Sequence, residues 1–84
     1  MSYELFLLRR AQKELERLEP SAYERVREAI SKLAENPRPR GAKKLTGREG
    51  WRLRAGDFRV VYEIDDDRRT LTVLHVGHRR DVYR

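Results

Sequence analysis

The sequence contains no cysteine, which excludes both a disulfide framework and a thiolate metal site and fits a reducing compartment. It has two histidines, His75 and His78, too few to hold a metal by themselves. No stretch is long and apolar enough to span a bilayer. Met1–Leu8 is a short apolar run with an acid inside it, without the length and flanks of a secretory signal. Also missing are a Gly-x-Ser-x-Gly elbow, a phosphate-binding glycine loop, an internal repeat and a low-complexity tract. These absences leave the expectation of a cytoplasmic protein that works without membrane, metal or cofactor. With 84 residues there is room for one domain, 1–84. A chain this short buries only about 60–65% of its unfolded surface.

Positive charge is abundant. Twenty Lys and Arg against fourteen Asp and Glu give a net charge of +6. Residues 1–39 carry eight basic and seven acidic side chains, whereas residues 40–84 carry twelve and seven. The excess therefore lies in the second half and suits an anionic partner, either nucleic acid or an acidic protein. Sixteen of the twenty are Arg, so compositional bias is the competing explanation.

The hydrophobic period changes along the chain. Tyr3–Leu8 suits a buried strand. Leu8, Ala11, Leu15 and Leu18 recur at helical spacing, and Pro20 interrupts that helix. Ser21 to Glu24 reads as a capping box, opening a second helix whose apolar face is Ala22, Val26, Ala29, Ile30 and Leu33. Asn36-Pro37 stops it. Arg38–Arg48 reads as an exposed irregular loop that Leu45 pins to the core. From Trp51 the period is two, with a hairpin tip at Ala55-Gly56, a strand Phe58–Ile64, a charged turn Asp65–Arg69 and a strand Thr70–Val76 ended by Gly77. The acids Asp65, Asp66 and Asp67 are better explained by turn chemistry than by metal binding. The pattern predicts an α+β fold: an N-terminal strand, a helical hairpin, then an antiparallel three-stranded meander with the helices on one face.

A tip at Ala55-Gly56 sets Leu53 opposite Phe58 and Arg52 opposite Arg59. The two arginines then share the face away from the helices. Like charges placed across a ladder are destabilising unless they reach water or grip an anion, and an arginine in a central strand needs an acceptor. Glu63 and Asp57, on the same face, are the ion-pair alternative. The tail His78–Arg84 sets an aromatic ring among cations, a mixture suited to holding phosphate and stacking a base. His78 is a candidate acid or base, while His75, inside a strand, reads as a packed, hydrogen-bonded histidine.

Lys43-Lys-Leu-Thr-Gly47, Trp51-Arg-Leu-Arg-Ala-Gly-Asp-Phe-Arg-Val-Val-Tyr-Glu-Ile64 and Val76-Gly-His-Arg-Arg-Asp-Val-Tyr83 resemble the RelE branch of the RelE/ParE toxin superfamily over nearly the whole chain. The resemblance implies a microbial-ribonuclease-like sheet and a toxin with a cognate, acidic, RelB-like antitoxin. It further implies metal-free cleavage of mRNA in the ribosomal A site by attack of a 2′-hydroxyl on the adjacent phosphate. By position it makes Arg52, Arg59, Arg79 and Tyr83 the catalytic set: Arg59 on the phosphate, Arg79 at the leaving group, Tyr83 on the nucleotide, and Arg52 where many relatives have a lysine. Lys43, Lys44, Arg54, His78 and Arg80 are the expected RNA contacts. Gly50 stands where well-studied members have a second lysine. Arginine is a poor proton shuttle because it stays protonated, so either Lys43, Lys44 or His78 supplies the missing proton transfer, or the enzyme is slower or works differently. The rival readings are a ParE-like inhibitor of DNA gyrase and a non-toxic module that only binds the antitoxin.

Overall fold

The computed structural model describes residues 2–78. The elements are β1 (Glu4–Leu7), α1 (Arg9–Glu16), α2 (Pro20–Leu33), β2 (Lys43–Lys44), β3 (Trp51–Ala55), β4 (Phe58–Asp65) and β5 (Thr70–His78). The α+β class and the helical hairpin are as the sequence predicts. The sheet is larger than the meander, with five strands in the order β1-β5-β4-β3-β2. β1 joins parallel to β5, with Leu5 beside Leu71 and Leu7 beside Val73. Lys43-Lys44, read from sequence as part of a loop, adds an antiparallel edge strand to β3.

The core fills the space between the two helices and one sheet face. Ala11 and Leu15 of α1 and Val26, Ile30 and Leu33 of α2 pack with Val60, Tyr62, Leu71, Val73 and Val76. Apolar residues at alternate strand positions and at every third or fourth helix position meet here. Leu8, counted in the helical stripe, instead precedes α1 in extended conformation and is 47% exposed. Leu45 lines the opposite sheet face rather than pinning its loop to the core. The capping box is not formed either. α2 begins at Pro20 behind Glu19 and has no side-chain cap, because proline's fixed φ already suits the first helical position. Tyr62 ties the segment after α2 to the core: its buried hydroxyl donates to the Pro37 carbonyl at 2.7 Å, and burial pushes its pKa up to about 12.

The turn between β3 and β4 falls one residue later than expected, which shifts the cross-strand pairing by two. Ala55 pairs with Phe58, so Gly56 and Asp57 form the turn. Gly56 takes the left-handed φ of +64°, the conformation a tight hairpin demands at its first turn residue. A shift of two preserves side-chain parity. Arg52 and Arg59 still share a face, but it is Arg54 that lies directly opposite Arg59, while Arg52 lies opposite Val61. β5 does not stop at Gly77; it pairs with β4 through His78. It also carries an irregularity: Val61 pairs with His75 but Tyr62 pairs with Val73, leaving Leu74 as an extra residue.

Candidate functional site

The sheet face away from the helices carries two rows of residues across the strands. One row is Arg54, Arg59 and Gly77; the next is Lys43, Arg52, Val61 and His75. Adjacent strands lie about 4.8 Å apart and successive same-face residues about 7 Å apart along a strand. Arg52 and Arg59 therefore stand diagonally about the small side chain of Val61, which is buried yet outside the core cluster. The bulge matters here. With Val73 and Val76 both facing the helices, the two residues between them, Leu74 and His75, both reach the opposite face. There they line a cleft of about 660 Å³. Its floor includes Val61 and Leu74, and its rim carries Arg10, Lys44, Arg48 and Arg52. Four cations around an apolar floor favour a ligand with both charge and flat apolar surface.

Within the cleft one side-chain network is fully defined. The Nδ1 of His75 lies 2.7 Å from Glu14 Oε2 and 2.8 Å from Oε1. Glu14 also accepts the Val76 amide at 2.8 Å, a donor beside the bulge, and Arg10 Nε at 3.1 Å. Burial of Glu14 works to raise its pKa. The Val76 amide, His75 and Arg10 outweigh that and hold the carboxyl below its usual value. His75 is thus packed and hydrogen-bonded as its strand position suggested, but it also lines the cleft.

The sequence-predicted residues divide into three groups. Arg52, Arg54, Arg59 and Lys43 come together on the open face, and Lys44 lines the cleft beside them. His78 does not join them. It pairs with Phe58, shares the helix-facing side with Val76 two residues before it, and meets the Phe58 ring edge-on at 5.8 Å between centroids. Extension of β5 past Gly77 is the cause, because strand alternation then fixes which way residue 78 points. Arg79, Arg80 and Tyr83 lie outside the described residues. Arg10, Arg48, Glu14 and His75 are cleft or cleft-supporting residues that sequence reasoning did not select. The three-residue spacing of Val73 and Val76 was the available signal for the bulge.

The acidic turn is occupied structurally. Asp66 accepts from Tyr3 Oη at 2.6 Å and from Arg38 at 2.9 and 3.3 Å. Arg38, hydrogen-bonded to it, and then Tyr3 lower the Asp66 pKa. Asp65 accepts the Arg68 amide at 3.0 Å.

The architecture is that of a small α+β protein with its helices on one sheet face and a cationic cleft on the other, a build suited to gripping an anionic chain. A family model described as the ParE toxin of the type II toxin-antitoxin system parDE matches residues 5–83. The putative toxin RelE1 of Methanocaldococcus jannaschii is 32% identical, covering 100% of this chain and 98% of that protein. Toxin RelG of Mycobacterium tuberculosis is 48% identical over 31 residues, which span 37% of this chain and only 36% of RelG. Among solved structures, the M. tuberculosis toxin-antitoxin complex RelBE2 superposes with a TM-score of 0.84 at 29% identity, over 94% of this chain and 100% of that one. The isolated E. coli RelE toxin superposes with a TM-score of 0.78 at 30% identity, over 98% and 92%. The chain belongs to the RelE/ParE family of toxins of type II toxin-antitoxin systems.

Proposed function

We propose that this toxin is a ribosome-dependent mRNA endoribonuclease, that residues 1–84 act as one toxin domain in the cytoplasm, and that an acidic antitoxin silences it. The observation that carries this reading is the diagonal placement of Arg52 and Arg59 across Val61 on the open sheet face, with Arg54 opposite Arg59. Attack of a 2′-oxygen on the neighbouring phosphorus gathers negative charge on the phosphoryl oxygens. Guanidinium groups fixed on adjacent strands stabilise that charge without having to reorganise. Lys43 and Lys44, with Arg54, hold the flanking phosphates, and the apolar floor receives the face of a base. Arg79 at the leaving oxygen, Arg80 on the backbone and Tyr83 stacked on the nucleotide complete the set that the family resemblance assigns. The partner reading is supported by the M. tuberculosis RelBE2 and Pyrococcus horikoshii RelE-RelB relatives, which are toxin-antitoxin complexes.

The test is translation of a defined mRNA in vitro with the toxin added, its cuts mapped by primer extension. Wild type should cut inside codons only when ribosomes are present. Arg59→Ala should slow cutting by about 10²-fold or more, and Tyr83→Phe should also weaken it. Intact mRNA with wild-type protein, in a preparation that arrests growth, overturns the reading. The match to a model built on ParE toxins favours DNA gyrase as the alternative target. That alternative predicts inhibited supercoiling that survives Arg59→Ala.

A further inference from the structure

The proposed chemistry needs a group that takes the proton from the 2′-hydroxyl, and the arginines of the site cannot do so at neutral pH. Position 50 carries no side chain, and His78 points to the other face. Besides Lys43 and Lys44 at the sheet edge, the cleft carries His75, and its partners fix its protonation pattern. A carboxylate only accepts and a guanidinium only donates. The contact of Nδ1 with Glu14 at 2.7 Å therefore places a proton on Nδ1. The contact of Nε2 with Arg10 Nη2 at 3.5 Å leaves Nε2 as the acceptor. Arg10 is 66% exposed on its side chain and its contact with Nε2 is long, so a bound phosphate can draw it aside. The imidazole itself is held firmly, with 15% of its side chain exposed. A carboxylate that orients a histidine, whose second nitrogen opens on a ligand cleft, is the arrangement of a general base.

We propose that His75 is a further catalytic residue of this toxin, its Nε2 acting as the base that deprotonates the 2′-hydroxyl, with Glu14 as its positioning residue. The proposal rests on the nuclease reading above. In the step, the O2′–H bond breaks and its proton passes to Nε2 while O2′ bonds to phosphorus. The P–O5′ bond breaks, its electron pair leaves on O5′, and O5′ takes a proton from water. The imidazolium then returns its proton to solvent, so the enzyme ends unchanged and the RNA carries a 2′,3′-cyclic phosphate and a 5′-hydroxyl. Across the sheet, Arg52 lies about 10 Å from His75 between backbones, so side chains from both reach toward a phosphodiester above Val61. The charged groups around the imidazole are Glu14 and Arg10 from α1, Lys44 and Arg48 from the β2 region, Arg52 from β3, and Arg59 and Glu63 from the open face of β4. β1 adds Glu4 at the far end of β5, beside Thr70.

The experiment is single-turnover cleavage on programmed ribosomes as a function of pH, using wild type, His75→Asn and Glu14→Gln. Asparagine can keep the donation to Glu14 but cannot take up a proton. The expected results are an acidic limb in the wild-type rate, a loss of about 10²-fold or more in His75→Asn, disappearance of the limb in that variant, and unchanged ribosome affinity. In Glu14→Gln the rate should fall with ribosome affinity unchanged, because the ring has lost the carboxylate that orients it. Cleavage by His75→Asn at the wild-type rate with the same limb overturns the proposal and leaves the nuclease reading intact. If His75→Asn does not fold, cleavage by Glu14→Gln at the wild-type rate overturns it equally. Absence of cutting by wild type on ribosomes removes the nuclease reading and this proposal together.

Discussion

Glu14 serves three donors at once: the His75 ring, the Val76 amide and Arg10. Its carboxyl has a lowered pKa in the folded protein, so the carboxylate's contribution to stability is fully present above its unfolded value of about 4.3. That contribution disappears as pH falls through the lower folded value. Near neutral pH, Glu14→Gln should cost on the order of 1–3 kcal/mol, the range for weakening a bond to a charged acceptor. The gap from wild type should close as the pH is taken below about 4. Thermal melts of both proteins across that range check this, and an undiminished gap in acid would mean that the negative charge is not what stabilises. His75 depends on this anchor twice, since Glu14 orients the ring and also satisfies the amide of the next residue beside the bulge.

At the scale of the element, β3 begins at a constrained point. Gly50 is buried with φ of +117°, and a Cβ there would stand 3.2 Å from both Leu45 Cδ1 and the Tyr62 carbonyl. Placing a lysine there, by Gly50→Lys, should therefore cost roughly 1–3 kcal/mol from backbone strain, read as a lower urea midpoint, even though it adds a cation near the cleft. The same elements show what a sequence discloses. Hydrophobic period and parity gave the helical hairpin, the strands from residue 51 onward and the shared face of Arg52 and Arg59, because a two-residue slip leaves parity unchanged. The turn itself was misplaced: Ala55-Gly56 and Gly56-Asp57 both offer the needed glycine, and only cross-strand packing chooses between them. The parallel pairing of β1 with β5 joins residues 66 apart, such as Leu5 and Leu71, and no local pattern reports it. The face that His78 occupies is not legible in the sequence, because Gly77 reads as a strand end whereas β5 continues through residue 78. The cleft contributions of His75 and Glu14 were hidden because they depend on a bulge and on a contact between α1 and β5.

For the whole molecule, charge and apolar surface lie side by side. The net charge is +6, four cations rim the cleft, and Phe6 and Leu8 near its β1 side are 45% and 47% exposed. An acidic antitoxin segment that folds on this surface should associate faster at low salt and keep part of its affinity at high salt through apolar burial. Titrations of the antitoxin at increasing ionic strength should show the association rate falling steeply while dissociation changes less. Complete indifference to salt would remove charge from the recognition. The sheet order has a separate consequence, in time rather than in space. β5 lies between β1 and β4 and joins the first strand to the rest of the sheet, yet ribosomes make it after every other described strand. Until it emerges, β1 has no neighbour, the core lacks Leu71, Val73 and Val76, and His75 does not exist. A nascent chain of this toxin therefore cannot close its core or build its cleft until β5 has been made.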